Sequence, residues 1–168
     1  MIIYIFKKYL NKTTMRYIFN LIAFIFLSSC VKVEDNSINS SVKMNSESEE
    51  ISFIIDLKVN SNSTENLNQF VKEITENVIK TEDFCLEYGY YVSDDMTSVT
   101  LYEKYKNSDG ATKHGQNFIE GPYFERFFNL FTLENFVVTG PASEEFKKFT
   151  SDNGFVIEYR ESVDSFTR

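Results

Sequence analysis

The chain has 168 residues, including 17 Phe and 10 Tyr but no Trp, and a formal net charge of −8. That length allows one domain of ordinary size, and the aromatic content supplies ample core material, which excludes a disordered chain. All charges ahead of Cys30 are basic (Lys7, Lys8, Lys12 and Arg16), so the remainder sets 13 Lys and Arg, 17 less those four, against 25 Asp and Glu. A balance of about −12 excludes nucleic acid as a partner, because binding there depends on cationic side chains neutralising phosphates.

Met15-Arg16 and the apolar run Tyr17 to Leu27 have the length and charge of a signal peptide, and the run is short for a bilayer-spanning helix. The run ends in Leu27-Ser28-Ser29-Cys30, which resembles the lipobox of bacterial lipoproteins: a branched apolar residue, two small residues that suit a peptidase pocket, and a thiol that takes the lipid. The resemblance implies that residues 1–29 are removed and that Cys30 is acylated. The several acyl chains of a mature lipoprotein hold stably where one would not. The chain is then expected in the cell envelope, periplasmic or at the cell surface, touching the membrane through its lipid alone. A retained N-terminal anchor helix is the alternative. Residues 30–50, rich in Ser, Asn and Glu, read as a flexible acidic tether, and 51–165 as the folded domain.

Ile51 to Val59 is short and β-rich, and the Asn-Ser run after it is a turn. After Thr64, apolar residues at Leu67, Phe70, Val71, Ile74, Val78 and Ile79 recur by threes and fours, predicting a helix to about Lys80. Phe84 to Val92 and Ser98 to Lys106 are strands joined by the polar turn Ser93 to Thr97, hence an antiparallel hairpin. Ser108 can cap a second helical region, broken by Gly115 and again by Gly121-Pro122. Its second piece, about Tyr123 to Phe131, turns Phe124, Phe127, Phe128 and Phe131 inward. Leu133 to Thr139 is a strand stopped by Gly140-Pro141, Ser143 opens a short helix to about Thr150, and Phe155 to Tyr159 is a last strand. The order is that of a ferredoxin-like α+β domain: β-α-β-β-α-β in a four-stranded antiparallel sheet, followed by a helix-strand extension. Alternation along Phe84 to Tyr91 leaves apolar or aromatic groups on both faces of the second strand, so the face away from the helices needs a cover.

With that order in hand, Ile51 to about Gly140 resembles the antibiotic biosynthesis monooxygenase (ABM) family of dimeric α+β barrels. Leu86-Glu87-Tyr88-Gly89-Tyr90-Tyr91 looks like that family's second strand. Val99-Thr100-Leu101-Tyr102-Glu103-Lys104-Tyr105 looks like its third, followed by a polar turn and an Ala-x-x-His helix, here Ala111 and His114. The resemblance implies a homodimer with two-fold symmetry, its sheets packed face to face, and a hollow between sheet and helices that binds a small aromatic or quinol-type ligand.

The sequence carries one His and no CxxC, HExxH, GxGxxG or GxSxG pattern, so transition-metal, dinucleotide and hydrolase-triad chemistry lack support. The resemblance implies oxygenation without a cofactor: a base deprotonates an electron-rich phenol or quinol, whose anion passes an electron to dioxygen. His114 is the candidate base and Glu103 its orienting partner, with Tyr105, on the same strand face as Glu103, or Tyr102, on the other face, as a hydrogen-bond donor to substrate. Phe124, Phe127 and Phe128 are further candidate substrate contacts. Against this stands a structural role for the same residues, with His114 packed in its helix, Glu103 in an ion pair and the phenylalanines as core. Haem-degrading relatives need a ligating His near Phe124 to Phe127 and a Trp near His114, and neither is present. Cys85, left without a partner if Cys30 is acylated, reads as a small core hydrophobe. The rival reading is a non-catalytic binding or dimerisation module.

Overall fold

The computed structural model describes residues 43–44 and 48–167, so Cys30 and the candidate signal peptide lie outside the described residues. Ser41–Arg168 forms one compact unit whose core is contained within itself, as an independently folding domain requires. Strands β1 (Lys43–Met44), β2 (Ile51–Val59), β3 (Cys85–Val92), β4 (Ser98–Tyr105), β5 (Phe131–Thr139), β6 (Glu158–Arg160) and β7 (Phe166–Thr167) alternate with helices α1 (Leu67–Thr81), α2 (Ser108–Glu120), α3 (Phe124–Leu130) and α4 (Glu144–Asp152).

The main sheet runs β3-β4-β2-β5-β6, and its first four strands are antiparallel in the ferredoxin-like order. The expected four-stranded antiparallel sheet is therefore extended to a mixed one of five: the C-terminal strand joins it, parallel to β5, pairing Val137, Val138 and Thr139 with Glu158, Tyr159 and Arg160. Inside the stretch expected to be tether, Lys43 and Met44 pair with Thr167 and Phe166. Two-residue strands have no periodicity from which a sequence reading could find them.

Period-two burial along β2 (Ile51, Phe53, Ile55, Leu57) and β4 (Val99, Leu101, Glu103, Tyr105) defines the helix-covered face. Helix α1 presents Leu67, Phe70, Ile74 and Val78 to it. Its first turn is capped by Asn66, whose Oδ1 accepts from Gln69 N at 3.0 Å. Ile79, expected inward, is 76% exposed because the stripe is set by the rows through Phe70, Ile74 and Val78.

A bulge between Cys85 and Glu87 changes the faces of β3: Cys85, Tyr88 and Tyr90 pair with Tyr105, Glu103 and Leu101 and share the helix-covered face, while Leu86 is left exposed. The opposite face is more polar than strict alternation implied. Tyr102 Oη donates to Ser52 Oγ (3.2 Å), Thr100 Oγ1 donates to Asp56 Oδ1 (3.2 Å), and Lys104 pairs with Glu50 (2.6 Å).

Three expectations in the second half are corrected. The N-cap of α2 is Asn107, whose Oδ1 accepts from Gly110 N (2.9 Å); Ser108 Oγ instead accepts from Ser143 N (2.9 Å), tying α2 to the start of α4. Gly115 does not break α2, which runs on to Glu120; a single helical Gly costs only ~1 kcal/mol. It is needed for packing, since a Cβ there would lie 2.7 Å from Phe149 Cε1. Phe131 opens β5 rather than closing the helix, and Phe128 stays 38% exposed at its edge. At the end of β5, Gly140 turns the chain at φ 102, where a Cβ would meet Glu50 O at 2.5 Å.

Candidate functional site

Between the sheet and helices α2, α3 and α4 lies a cavity of about 70 Å³. Its wall is built mostly from phenylalanines, among them Phe53, Phe118, Phe127, Phe128 and Phe136, with polar atoms from Glu103, His114, Tyr88 and Thr150. Apolar concavity with a few convergent polar groups is the general form of a small-molecule site.

Strand β4 aims Glu103 and Tyr105 at this face because they are two residues apart, and the adjacent α2 brings His114 over them. Tyr105 Oη donates to Glu103 Oε2 at 2.8 Å. The ring of His114 is bracketed by two carboxylates: Nδ1 lies 2.7 Å from Glu82 Oε2 and Nε2 lies 3.7 Å from Glu103 Oε2. Asn117 Nδ2 donates to the other oxygen of Glu82 at 3.1 Å. Glu82, Glu103 and His114 are all buried.

Burial pushes the Glu103 carboxyl above its ordinary range, against the pull of His114 and the hydrogen bond from Tyr105. Burial alone would lower His114, but the charge of Glu103 and the hydrogen bond and charge of Glu82 outweigh it and hold the imidazole above its ordinary value. For Glu82 burial is likewise the largest influence and raises, yet the His114 hydrogen bond and charge, with Asn117, bring it below the ordinary carboxylate range. The two carboxylates thus favour the charged form of the ring, which pairs with Glu82, and Glu103 at the cavity is the carboxyl that burial pushes up. Burial also raises Tyr88, Tyr90 and Tyr105, which remain neutral donors. Tyr88 and Tyr90 share a hydrogen bond of 3.0 Å.

The expected constellation of His114, Glu103 and Tyr105 is brought together, although Tyr105 supports Glu103 from below rather than lining the cavity. Phe127 and Phe128 line it. Phe124 lies outside it, in an outer cleft, and Tyr102 is on the opposite face of the sheet. The sequence reading missed Glu82, the tightest partner of His114. An acidic residue following the last turn of an apolar-striped helix, near other elements by topology alone, offers no local pattern to find it. Cys85 is half-buried and its thiol is pushed up to about 12, mainly by burial and then by Glu103 and Glu82, so it packs rather than reacts.

No family model matches the chain, and no curated protein is similar enough to match. Among solved structures, MupZ from Pseudomonas fluorescens superposes with a TM-score of 0.59 at 22% identity, covering 71% of this chain and 95% of MupZ. A candidate antibiotic biosynthesis monooxygenase from Caulobacter crescentus follows (TM-score 0.41, 18% identity, 53% of this chain and 88% of that one). A point mutant of SnoaB, a cofactor-independent oxygenase from Streptomyces nogalater, is similar over 57% of this chain and 96% of its own (TM-score 0.41, 14% identity). The chain shares the fold of MupZ. At 22% identity the likeness is one of fold, and the chemistry of this domain has to be argued from its own side chains.

Proposed function

We propose that this ABM-like protein is a lipid-anchored monooxygenase, held outside the cytoplasm through Cys30, that oxygenates a phenolic or quinol-type small molecule with dioxygen and no cofactor. The observation that carries the reading is the aromatic cavity bordered by the Glu103–His114–Glu82 cluster. In this reading Glu103 takes the phenolic proton, the reverse of the roles that the family resemblance implied, because His114 already bears its own. The imidazolium then stabilises the phenolate electrostatically inside a site shielded from water. The phenolate gives an electron to dioxygen and a C–O bond forms. For a quinol the balance is quinol plus dioxygen to hydroxyquinone plus water: one oxygen atom stays on carbon, and the other leaves as water with two substrate hydrogens. A homodimer through the open sheet face belongs to the same proposal, supported by the exposed ring of Tyr91 on β3.

A second reading, a non-catalytic binding or dimerisation module, is favoured by one observation: among the described residues no buried side-chain nitrogen or oxygen lacks a hydrogen-bond partner. A cluster satisfied so completely also suits a structural ion pair. Mass spectrometry after incubation of a quinol with ¹⁸O₂ separates the two. Monooxygenation places one labelled atom in the hydroxyquinone; unlabelled product at the autoxidation rate leaves the binding module.

A further inference from the structure

The inner cavity, at about 70 Å³, is about half the ~150 Å³ void that accepts a benzene-sized guest. A phenolic ring therefore cannot sit at Glu103 unless the wall gives way somewhere. On the far side of that wall lies an outer cleft of about 720 Å³, between the start of β5 and the segment Asn153 to Glu158. The two spaces are separated by side chains that line both: Phe128, Leu133, Phe136 and Phe155.

Of these, Phe155 is the one held most loosely. Phe128 is wedged among Phe118, Phe124 and Phe127 at centroid distances of 6.4, 5.0 and 5.2 Å, whereas among the described rings Phe155 meets Phe136, at 6.4 Å. Its neighbours add little restraint. Gly154 sits at φ 79 with nothing within 4 Å of where a Cβ would be, and Val156 is 87% exposed. Phe155 borders both spaces, and among the described rings it would give up one aromatic contact on turning away from Phe136.

The cleft also has a definite charge. Its charged lining is acidic, Glu134 and Glu158, with Asn135 and Asn153 the other polar side chains, and no Lys or Arg lines it. Glu158 is answered by Arg160 (2.7 Å), whereas among the described residues the Glu134 carboxylate has no hydrogen-bond or ion-pair partner.

We propose that the outer cleft is a second ligand subsite, formed by the C-terminal extension, which takes the body of an elongated, uncharged aromatic molecule, rejects anions, and is opened to the inner cavity by Phe155. The proposal rests on the inner cavity being a phenol site, and it adds a length and a charge requirement to the ligand. Phe155 is its specificity-determining residue.

The test uses the compact unit Ser41–Arg168, which contains its whole core, and follows binding by equilibrium dialysis with no reaction required. The probes are phenol, 4-phenylphenol and 4′-hydroxybiphenyl-4-carboxylate, whose anionic end lies away from its phenol. The expected result is 4-phenylphenol bound at least tenfold more tightly than phenol, with 4′-hydroxybiphenyl-4-carboxylate bound at least tenfold more weakly than 4-phenylphenol. Phe155→Ala removes the ring that has to turn aside and should tighten 4-phenylphenol severalfold, by a larger factor than phenol. Glu134→Lys, at an exposed position where folding is not at risk, should improve 4′-hydroxybiphenyl-4-carboxylate binding severalfold. Equal affinity for the neutral and anionic biphenyls, or indifference to both substitutions, overturns the proposal. Phenol bound with no gain from the second ring removes the outer subsite but leaves the inner site standing. Selective 4-phenylphenol binding without oxygen uptake supports the subsite and removes the monooxygenase instead.

Discussion

Replacing Glu82 by Gln keeps the shape of the side chain and its hydrogen bond to Asn117 but takes away the charge 2.7 Å from His114 Nδ1. A hydrogen bond between charged groups in a buried setting contributes about 1.5–3 kcal/mol, so Glu82→Gln should cost roughly that much where the wild-type ring is charged. For a unit of this size each kcal/mol moves Tm by about 3–6 °C, giving a fall of about 5–18 °C. The sign of the pH dependence follows from the directions of the shifts. The His114 contribution, from a raised value, is complete below the ordinary imidazole value of about 6.5 and is lost as pH rises through the folded value. The Glu82 contribution, from a lowered value, is complete above its ordinary value of 4.5 and is lost as pH falls through the folded one. The deficit of the variant is therefore largest between those two ordinary values and shrinks in alkali. Urea unfolding of wild type and Glu82→Gln near pH 5.5 and in alkali measures the difference. Because the chain has a single His, NMR titration of its ring reports the cause directly. A wild-type ring that titrates below the ordinary value, or a deficit that does not change with pH, would refute the reasoning.

Gly115→Ala places a methyl group 2.7 Å from Phe149, so the ring has to turn toward the neighbouring cavity. Overpacking of ~1–3 kcal/mol is partly offset by ~1 kcal/mol of helix propensity, so denaturant midpoints should fall modestly while ligand binding in the cavity falls much more. Cys85, with its thiol pushed up to about 12, should resist alkylation at pH 8 in the folded protein and react readily in urea; equal rates would contradict its burial. Metabolic labelling with radioactive palmitate should mark the wild-type chain and spare Cys30→Ser, and an unlabelled wild type removes the anchor.

Much of the fold is legible along the chain because its signals are local. The period-two burial of β2 and β4, the three-four spacing of Phe70, Ile74 and Val78, and the polar turn of the hairpin each lie within one segment. What escapes is tertiary. The bulge that moves Cys85 to the face of Tyr88 depends on the register with β4, and the parallel docking of β6 on the return path set by α4, which packs through Phe146 against Phe53. Gly115 shows the same limit, since a residue that looks like a helix breaker is explained only by a ring 34 positions along the chain. At the site, the alternation Glu103/Tyr105 and the lone His114 are visible in the sequence, but Glu82 becomes a partner only when the end of α1 meets α2.

The central claim is that the buried carboxylate at the cavity moves a phenolic proton. It is tested most directly by oxygen uptake with a quinol, comparing wild type with Glu103→Gln in protein shown to be folded. Loss of a positioned proton acceptor should reduce the rate about 10²–10⁴-fold, while Tyr102→Phe, on the far face of the sheet, should leave it unchanged. Uptake that is the same in Glu103→Gln as in wild type, or no higher than autoxidation in either, would contradict the account.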